Sequence, residues 1–258
     1  MRLTDQFFEN EYRIRFSDIG EKGTLRPGAL LDYLQDVSMV HSGYVGYDSD
    51  YFVREGKAWA ISFWHIAIHE LPRENQIMLL RTWDRQHKRI QAHREIIIAD
   101  EEGKEHGYAY GRFVWMDTEK RRPAKLDADF MKAYYFAGEK GFRDEEAPTV
   151  FAIPEDTPQR TERFRVERSD IDPSGHVNNA RYLHWAEDFL SDAAYYDHAL
   201  CDVKIMYRNE CFRGAEILCQ CHEKSGAQDS VDTMAVFRDA QQEERVYAAV
   251  AMHWEKMA

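Results

Sequence analysis

The chain repeats itself, and that repeat constrains its fold more than any other feature. Tyr12-Arg13-Ile14 and Ser17-Asp18-Ile19 return as Phe164-Arg165-Val166 and Ser169-Asp170-Ile171, 152 residues later. Leu31, Tyr33 and Asp36 match Leu183, Trp185 and Asp188 at the same spacing. Further on the spacing contracts to about 140, pairing Glu70-Leu71 with Glu210-Cys211, Arg73 with Arg213 and Ile77 with Ile217; near the ends Asp100 matches Asp239 and Trp115 matches Trp254. Colinear matches across both halves predict a duplicated unit. The expected division is 1–128, a linker over 129–160 with prolines at 148, 154 and 158, and 161–258.

Each copy reads the same way. An arginine-bearing strand (11–16, 163–168) enters a polar turn and then an amphipathic helix. The first helix starts near Pro27, a residue suited to the first helical turn, and Leu30, Leu31, Leu34, Val37 and Val40 form its apolar stripe. The second takes Asn178 or Asn179 as N-cap and continues through Tyr182, Trp185, Phe189 and Ala193. Strands come next at 58–68, 77–84, 89–99 and 108–116, and again at 203–211, 215–222, 230–237 and 245–254. The expected fold is therefore α+β, a tandem hot-dog in which each long helix is wrapped by an antiparallel sheet. Two such units cover a sheet edge that one would leave bare.

Composition removes several classes. With 34 Lys and Arg against 46 Asp and Glu the net charge is −12, which disfavours nucleic acid as a partner. No apolar run approaches the roughly 20 residues of a membrane span, and the first residues hold no uninterrupted apolar stretch of the secretory type. A cytoplasmic protein with reduced thiols is expected, its four cysteines at 201, 211, 219 and 221. Cys219 and Cys221 share one strand face and read as buried small side chains, with metal ligation the open alternative. No P-loop, GxGxxG or HExxH pattern occurs, so no metal and no cofactor is expected.

The chemistry concentrates in Asp170-Ile-Asp-Pro-Ser-Gly-His-Val-Asn-Asn-Ala-Arg-Tyr182. Asp172, Ser174, His176, Asn178 and Asn179 crowd a turn that opens a helix, where free amides and a partial positive charge favour an oxyanion. Gly175 lets a substrate approach the backbone, and His176 is a ready proton carrier. The first copy carries Gly20 and Thr24 where the second has Asp172 and His176. Fold alone would ask for these groups in both copies, so one half is expected to be active and the other a scaffold.

Tyr207-Arg-Asn-Glu-Cys211 is the second candidate. On a strand Glu210 and Cys211 face opposite sides unless a bulge intervenes. Glu210 is a candidate general base on water; Cys211 is a candidate nucleophile or a buried thiol. Arg85, Lys88, Arg89 and Arg94, with Lys120, Arg121 and Arg122, are the cationic runs able to meet an acidic partner or a phosphate.

These two stretches resemble the acyl-acyl-carrier-protein thioesterases of plants and bacteria. That family's Asp-x-Asn-x-His-Val-Asn-Asn-x-x-Tyr-x-x-Trp segment stands here as Asp172 through Trp185, and its Tyr-Arg-Arg-Glu-Cys signature as Tyr207 through Cys211. One position departs: Ser174 replaces the family's asparagine, offering a hydroxyl that donates or accepts one hydrogen bond but lacks the amide's second donor. The resemblance implies a tandem hot-dog that hydrolyses fatty acyl-carrier-protein thioesters, releasing free fatty acid in fatty acid biosynthesis. Asp172, Ser174, His176, Glu210 and Cys211 take the catalytic positions, and Gly175, Asn178 and Asn179 the substrate-binding ones. The implied partners are an acidic acyl-carrier protein and a fatty acyl chain, and a homodimer stays open. An acyl-CoA thioesterase and a silent acyl-binding protein are the competing readings.

Overall fold

The structure, a computed structural model, describes residues 1–4, 7–134 and 151–257, leaving aside the side chains of residues 85–88, 128 and 129. Half of the linker expected at 129–160, namely 135–150, lies outside the described residues. The chain divides into two compact units, one of residues 1–26 and 32–146, the other of 27–31 and 147–258.

In the first unit β1 (Arg2–Leu3) and β2 (Phe8–Arg13) are followed by α1 (Pro27–Tyr44), whose residues 27–31 are counted with the other unit, and α2 (Ser49–Glu55). Then come β3 (Lys57–Ile68), β4 (Ile77–Lys88), β5 (Gln91–Ala99), β6 (Glu105–Asp117), β7 (Arg122–Pro123) and α3 (Ala128–Lys132). The strands order β1-β2-β4-β5-β6-β3, with β7 also on β6, and the pairs described are antiparallel. Pro27 occupies the start of α1, as its fixed φ and missing N–H allow. Leu30, Leu31, Leu34 and Val37 are buried, whereas Val40 is only partly so. The buried face continues instead through Ser38, His41 and Ser42. The two hydroxyls are satisfied inside the helix, Ser38 on the Leu34 carbonyl and Ser42 on that of Ser38. Phe130, Met131 and Tyr134, around α3, close an aromatic cluster with Phe52 and Trp115.

The second unit carries β8 (Arg160–Arg165), α4 (Arg181–Asp188), α5 (Asp192–Asp197), β9 (His198–Tyr207), β10 (Glu216–Ser225), β11 (Val231–Asp239) and β12 (Val246–Lys256). Its antiparallel order is β9-β12-β11-β10-β8. The helix expected to run to Ala193 stops at Phe189, and Ser191 caps α5 by accepting from the Ala194 amide. Tyr182, Leu183, Trp185 and Ala186 make the buried face of α4. Both arginine-bearing strands end three residues earlier than the periodicity implies. The chain there enters a single 3₁₀ turn, Phe16–Asp18 in one unit and Arg168–Asp170 in the other.

Among the described residues no helix is long and apolar enough to cross a membrane.

Candidate active site

The 3₁₀ turns lead into a second turn that is built identically in both units. Asp172 N–H donates to the His176 carbonyl, Gly175 N–H to that of Asp172, and Asn178 N–H to that of Asp170. Gly20, Gly23 and Arg26 make the same three bonds to Thr24, Gly20 and Asp18. Gly175 and Gly23 both hold left-handed φ, +83° and +72°, which disfavours any side chain there. Beneath each turn lies a buried carboxylate: Asp170 accepts from Arg181 at 2.9 Å, and Asp18 from Arg15 and Tyr33.

This repeated bonding fixes the correspondence between copies better than letters do. Val177 N–H donates to the Cys211 carbonyl where Leu25 N–H donates to that of Pro72. Gly214 N–H reaches Val166 where Asn75 N–H reaches Ile14. The counterpart of Glu210 is therefore Leu71, not Glu70, and Phe212 corresponds to Arg73. Asp172, His176 and Glu210 thus stand against Gly20, Thr24 and Leu71, so the asymmetry extends to all three positions.

β9 ends at Tyr207, short of the expected residue 211. Two successive amides, Arg208 at 2.9 Å and Asn209 at 3.3 Å, converge on the single carbonyl of Tyr247, and the Asn209 side chain donates to Val246 O at 2.7 Å. Two residues against one is the signature of a bulge, which re-aims the side chains beyond it. It exposes Glu210 and buries Cys211.

The Glu210 carboxylate faces the His176 imidazole, Oε1 to Nε2 at 3.8 Å, with both side chains open to solvent (49% and 34%). Phe212 stands edge-on to the same imidazole, ring centres 4.9 Å apart, and is itself exposed. Sequence reasoning missed Phe212; its only signal is an aromatic residue in a loop beside the glutamate. Asp172 is the carboxylate nearest His176 in sequence, yet its Oδ1 accepts from Ser174 N–H at 2.8 Å and so braces the turn. Ser174 is exposed at the tip.

The amides expected to hold an oxyanion are mostly committed. Those of Gly175, Val177 and Asn178 are bonded to Asp172, Cys211 and Asp170, which leaves the His176 amide. Asn178 Oδ1 accepts from Ala180 N–H at 3.0 Å, the local bond its residue type favours at a helix start. Asn179 offers its carbonyl to the Tyr207 hydroxyl at 3.0 Å.

Burial pushes the Cys211 thiol up to about 11, with the Tyr182 and Tyr247 hydroxyls as its neighbours. A thiol so placed holds little thiolate at neutral pH.

The cationic runs separate. Arg94 is buried, donating to His41 Nδ1 at 2.9 Å and Thr82 Oγ1 at 3.1 Å, so it is no surface cation. Arg89, Lys120, Arg121 and Arg122 are exposed, while the side chains of Arg85 and Lys88 lie outside those described. The 89–90 turn and the 115–126 segment are bonded neighbours, Trp115 N–H to Ile90 O and Leu126 N–H to Arg89 O. Among the described residues no group of three or more His, Cys, Asp or Glu side chains is placed to hold a metal ion.

Residues 5–134 match the acyl-ACP thioesterase N-terminal domain, and residues 154–256 its C-terminal domain. The chain is 26% identical over 218 residues to oleoyl-acyl carrier protein thioesterase 1, chloroplastic, of Arabidopsis thaliana, an alignment covering 79% of this chain and 60% of that protein. The chain thus spans about 60% of the length of that curated relative. The fold matches the 12:0-ACP thioesterase of Umbellularia californica at a TM-score of 0.87 and 18% identity, covering 100% of both chains. It matches an acyl-ACP thioesterase of Bacteroides thetaiotaomicron at 0.84 and 20%, covering 98% of this chain and 100% of that one. These neighbours define a double hot-dog protein. The chain belongs to the acyl-ACP thioesterase family.

Proposed function

We propose that this chain hydrolyses fatty acyl-carrier-protein thioesters and that its second unit does the chemistry. The observation that carries this reading is the Glu210–His176 pair, solvent-accessible, 3.8 Å apart and present in one copy only. Such a pair takes a proton from water as its oxygen attacks the thioester carbonyl, then returns a proton to the departing thiolate. The His176 amide, not used by the bonds of the turn, is the donor left for the developing oxyanion. Asp172 is a positioning residue that holds the Ser174–His176 turn in shape. Cys211 takes no covalent part.

The relatives, an oleoyl and a 12:0 carrier-protein thioesterase by name, support a carrier-bound fatty acyl chain as substrate. An acyl-carrier protein is acidic, as is this chain at −12, so productive encounter requires a local basic surface. Arg89, Lys120, Arg121 and Arg122 in the first unit provide one, dividing docking and cutting between the units.

The test is hydrolysis of one acyl chain presented on carrier protein and on coenzyme A. Faster turnover from carrier protein, lost in His176→Ala, is the expected result. Preference for the coenzyme A ester makes the chain an acyl-CoA thioesterase, and no turnover of either makes it an acyl-binding protein.

A further inference from the structure

Cys219 and Cys221 lie on the same face of β10, with their sulfur atoms 3.7 Å apart. They pair across the ladder with Glu162 and Arg160 of the edge strand β8, and Ile217 pairs with Phe164. Phe164 packs on Trp185 and Phe189, so this face of β10 looks toward α4. Cys219 is fully buried there. Cys221 is half-buried and lines a cleft of about 190 Å³, together with Arg160, Ala186, Phe189 and Leu190. Arg160 reaches over the cleft to the Asp188 carbonyl at 3.4 Å and lies over the Phe189 ring at 5.2 Å. Neither thiol belongs to the site of His176 and Glu210.

We infer that Cys219 and Cys221 form a reversible redox pair, in which peroxide oxidises Cys221 through the cleft and Cys219 resolves the product as an intrastrand disulfide. Access and charge single out the attacking sulfur. Cys221 is reached from solvent, and the Cys219 thiol and the Arg160 guanidinium both favour its thiolate, whereas burial keeps the proton on Cys219. The Cys221 thiolate attacks one oxygen of hydrogen peroxide. The O–O bond breaks, the leaving hydroxide takes up the proton that Cys221 released to solvent, and Cys221 becomes a sulfenic acid. Cys219 sulfur then displaces that hydroxyl, which departs as water with the Cys219 proton, and the S–S bond forms. Two thiols and one peroxide thus give one disulfide and two waters.

The spacing sets the character of the bond. Two residues along a strand hold both Cα and Cβ atoms about 6.6–6.8 Å apart. That is at the Cα limit of about 6.8 Å for a disulfide and beyond the roughly 4.5 Å its Cβ atoms span, so β10 must pucker between the two cysteines for the bond to close. A bond at that limit is strained and easily reduced, which makes it a switch rather than a staple.

The experiment treats the intact chain with hydrogen peroxide, removes the peroxide, unfolds the chain in guanidinium with N-ethylmaleimide to block every remaining thiol, and examines the tryptic peptide 214–224, which holds both cysteines. The expected result is a loss of two hydrogens with neither sulfur alkylated, reversed by dithiothreitol. Cys219→Ser is expected to leave a dimedone-reactive sulfenic acid on Cys221. Should that variant not fold, Cys221→Ser replaces it, and its Cys219 should remain fully alkylatable after peroxide. Full alkylation of both sulfurs in the native chain, a sulfinic acid on Cys221, or a bond from Cys221 to Cys201 or Cys211 overturns the inference.

Discussion

The Val177 amide donates to the Cys211 carbonyl at 2.9 Å, and this backbone bond ties the loop that carries Glu210 to the turn that carries His176. The two side chains meet because their backbones are already joined. Cys211 therefore contributes through its carbonyl, which every residue type has, while its thiol is buried in the core.

Removal of either member of the pair should be costly. His176→Ala and Glu210→Gln are each expected to lower kcat by about 10²-fold or more, the usual worth of a proton-transfer group. Thr24→Ala and Leu71→Ala, at the matching positions, should leave kcat within about twofold. Steady-state hydrolysis of a carrier-bound acyl chain measures this, and near-normal turnover in His176→Ala would remove the pair from the mechanism.

Cys211→Ala should retain most activity. With its thiol pushed up to about 11, a thioester intermediate on Cys211 is not expected. Intact-mass measurement during turnover should show no acyl adduct; an adduct at Cys211, or a pre-steady-state burst, contradicts the water mechanism.

Asp170 and Asp18 separate folding from activity. Each is a buried carboxylate under its turn, and loss of either should cost about 1–3 kcal/mol, since its partners are left without an acceptor. Asp170→Ala should also depress kcat, because the adjoining turn positions His176. Asp18→Ala should lower the Tm by a similar amount yet leave kcat nearly intact. Equal losses of activity in the two variants would deny the division of labour.

His41 gives a pH dependence with a definite sign. Burial, assisted by Arg94, lowers it to about 2, so it is neutral in the folded chain, whereas the unfolded chain binds its proton below about 6.5. The unfolded state therefore holds more protons as pH falls, and stability from this group is lost on going down from about pH 6.5. The contribution is about 1.4 kcal/mol per pH unit. His41→Gln, which keeps an acceptor for Arg94, should flatten the acid limb of urea-unfolding free energies by about one proton; an unchanged slope counts against a neutral buried His41.

Charge reversal at Lys120, Arg121 and Arg122 together should reduce kcat/KM for a carrier-bound substrate about tenfold at low salt. The deficit should shrink as salt screens the encounter. A short thioester without carrier should be hydrolysed as before. Equal losses on both substrates would place the defect in folding rather than docking.

Much of the fold and site is legible in the sequence because duplication wrote it twice. The turn through Asp172 and His176, the Pro27 start of α1 and the hairpin strands rest on local signals, and those signals are strong. The features that escape depend on contacts between distant segments. The bulge at Arg208 and Asn209 arises from competition for one carbonyl on β12, which no local pattern at 207–211 announces. The same competition occurs at His69 and Glu70, 139 residues earlier, so the bulge is shared, and the letters mislead because Glu70 and Arg73 match Glu210 and Arg213 one residue out of that register. Arg94 reads as a surface cation because charge is usually solvated, yet His41, Thr82 and Asp84 receive it in the core. The break after α4 is hidden by Phe189 and Ala193, which continue the helical period although Ser191 starts a new helix.

The doubled turn makes this chemistry portable. Gly20, Thr24 and Leu71 occupy a backbone already bonded as the other copy is, and Gly20 does not hold a positive φ. Gly20→Asp, Thr24→His and Leu71→Glu ask the first unit for three side chains and no new path of the chain. One molecule can thereby be given a second workplace by grafting alone, with the original left untouched as its internal reference.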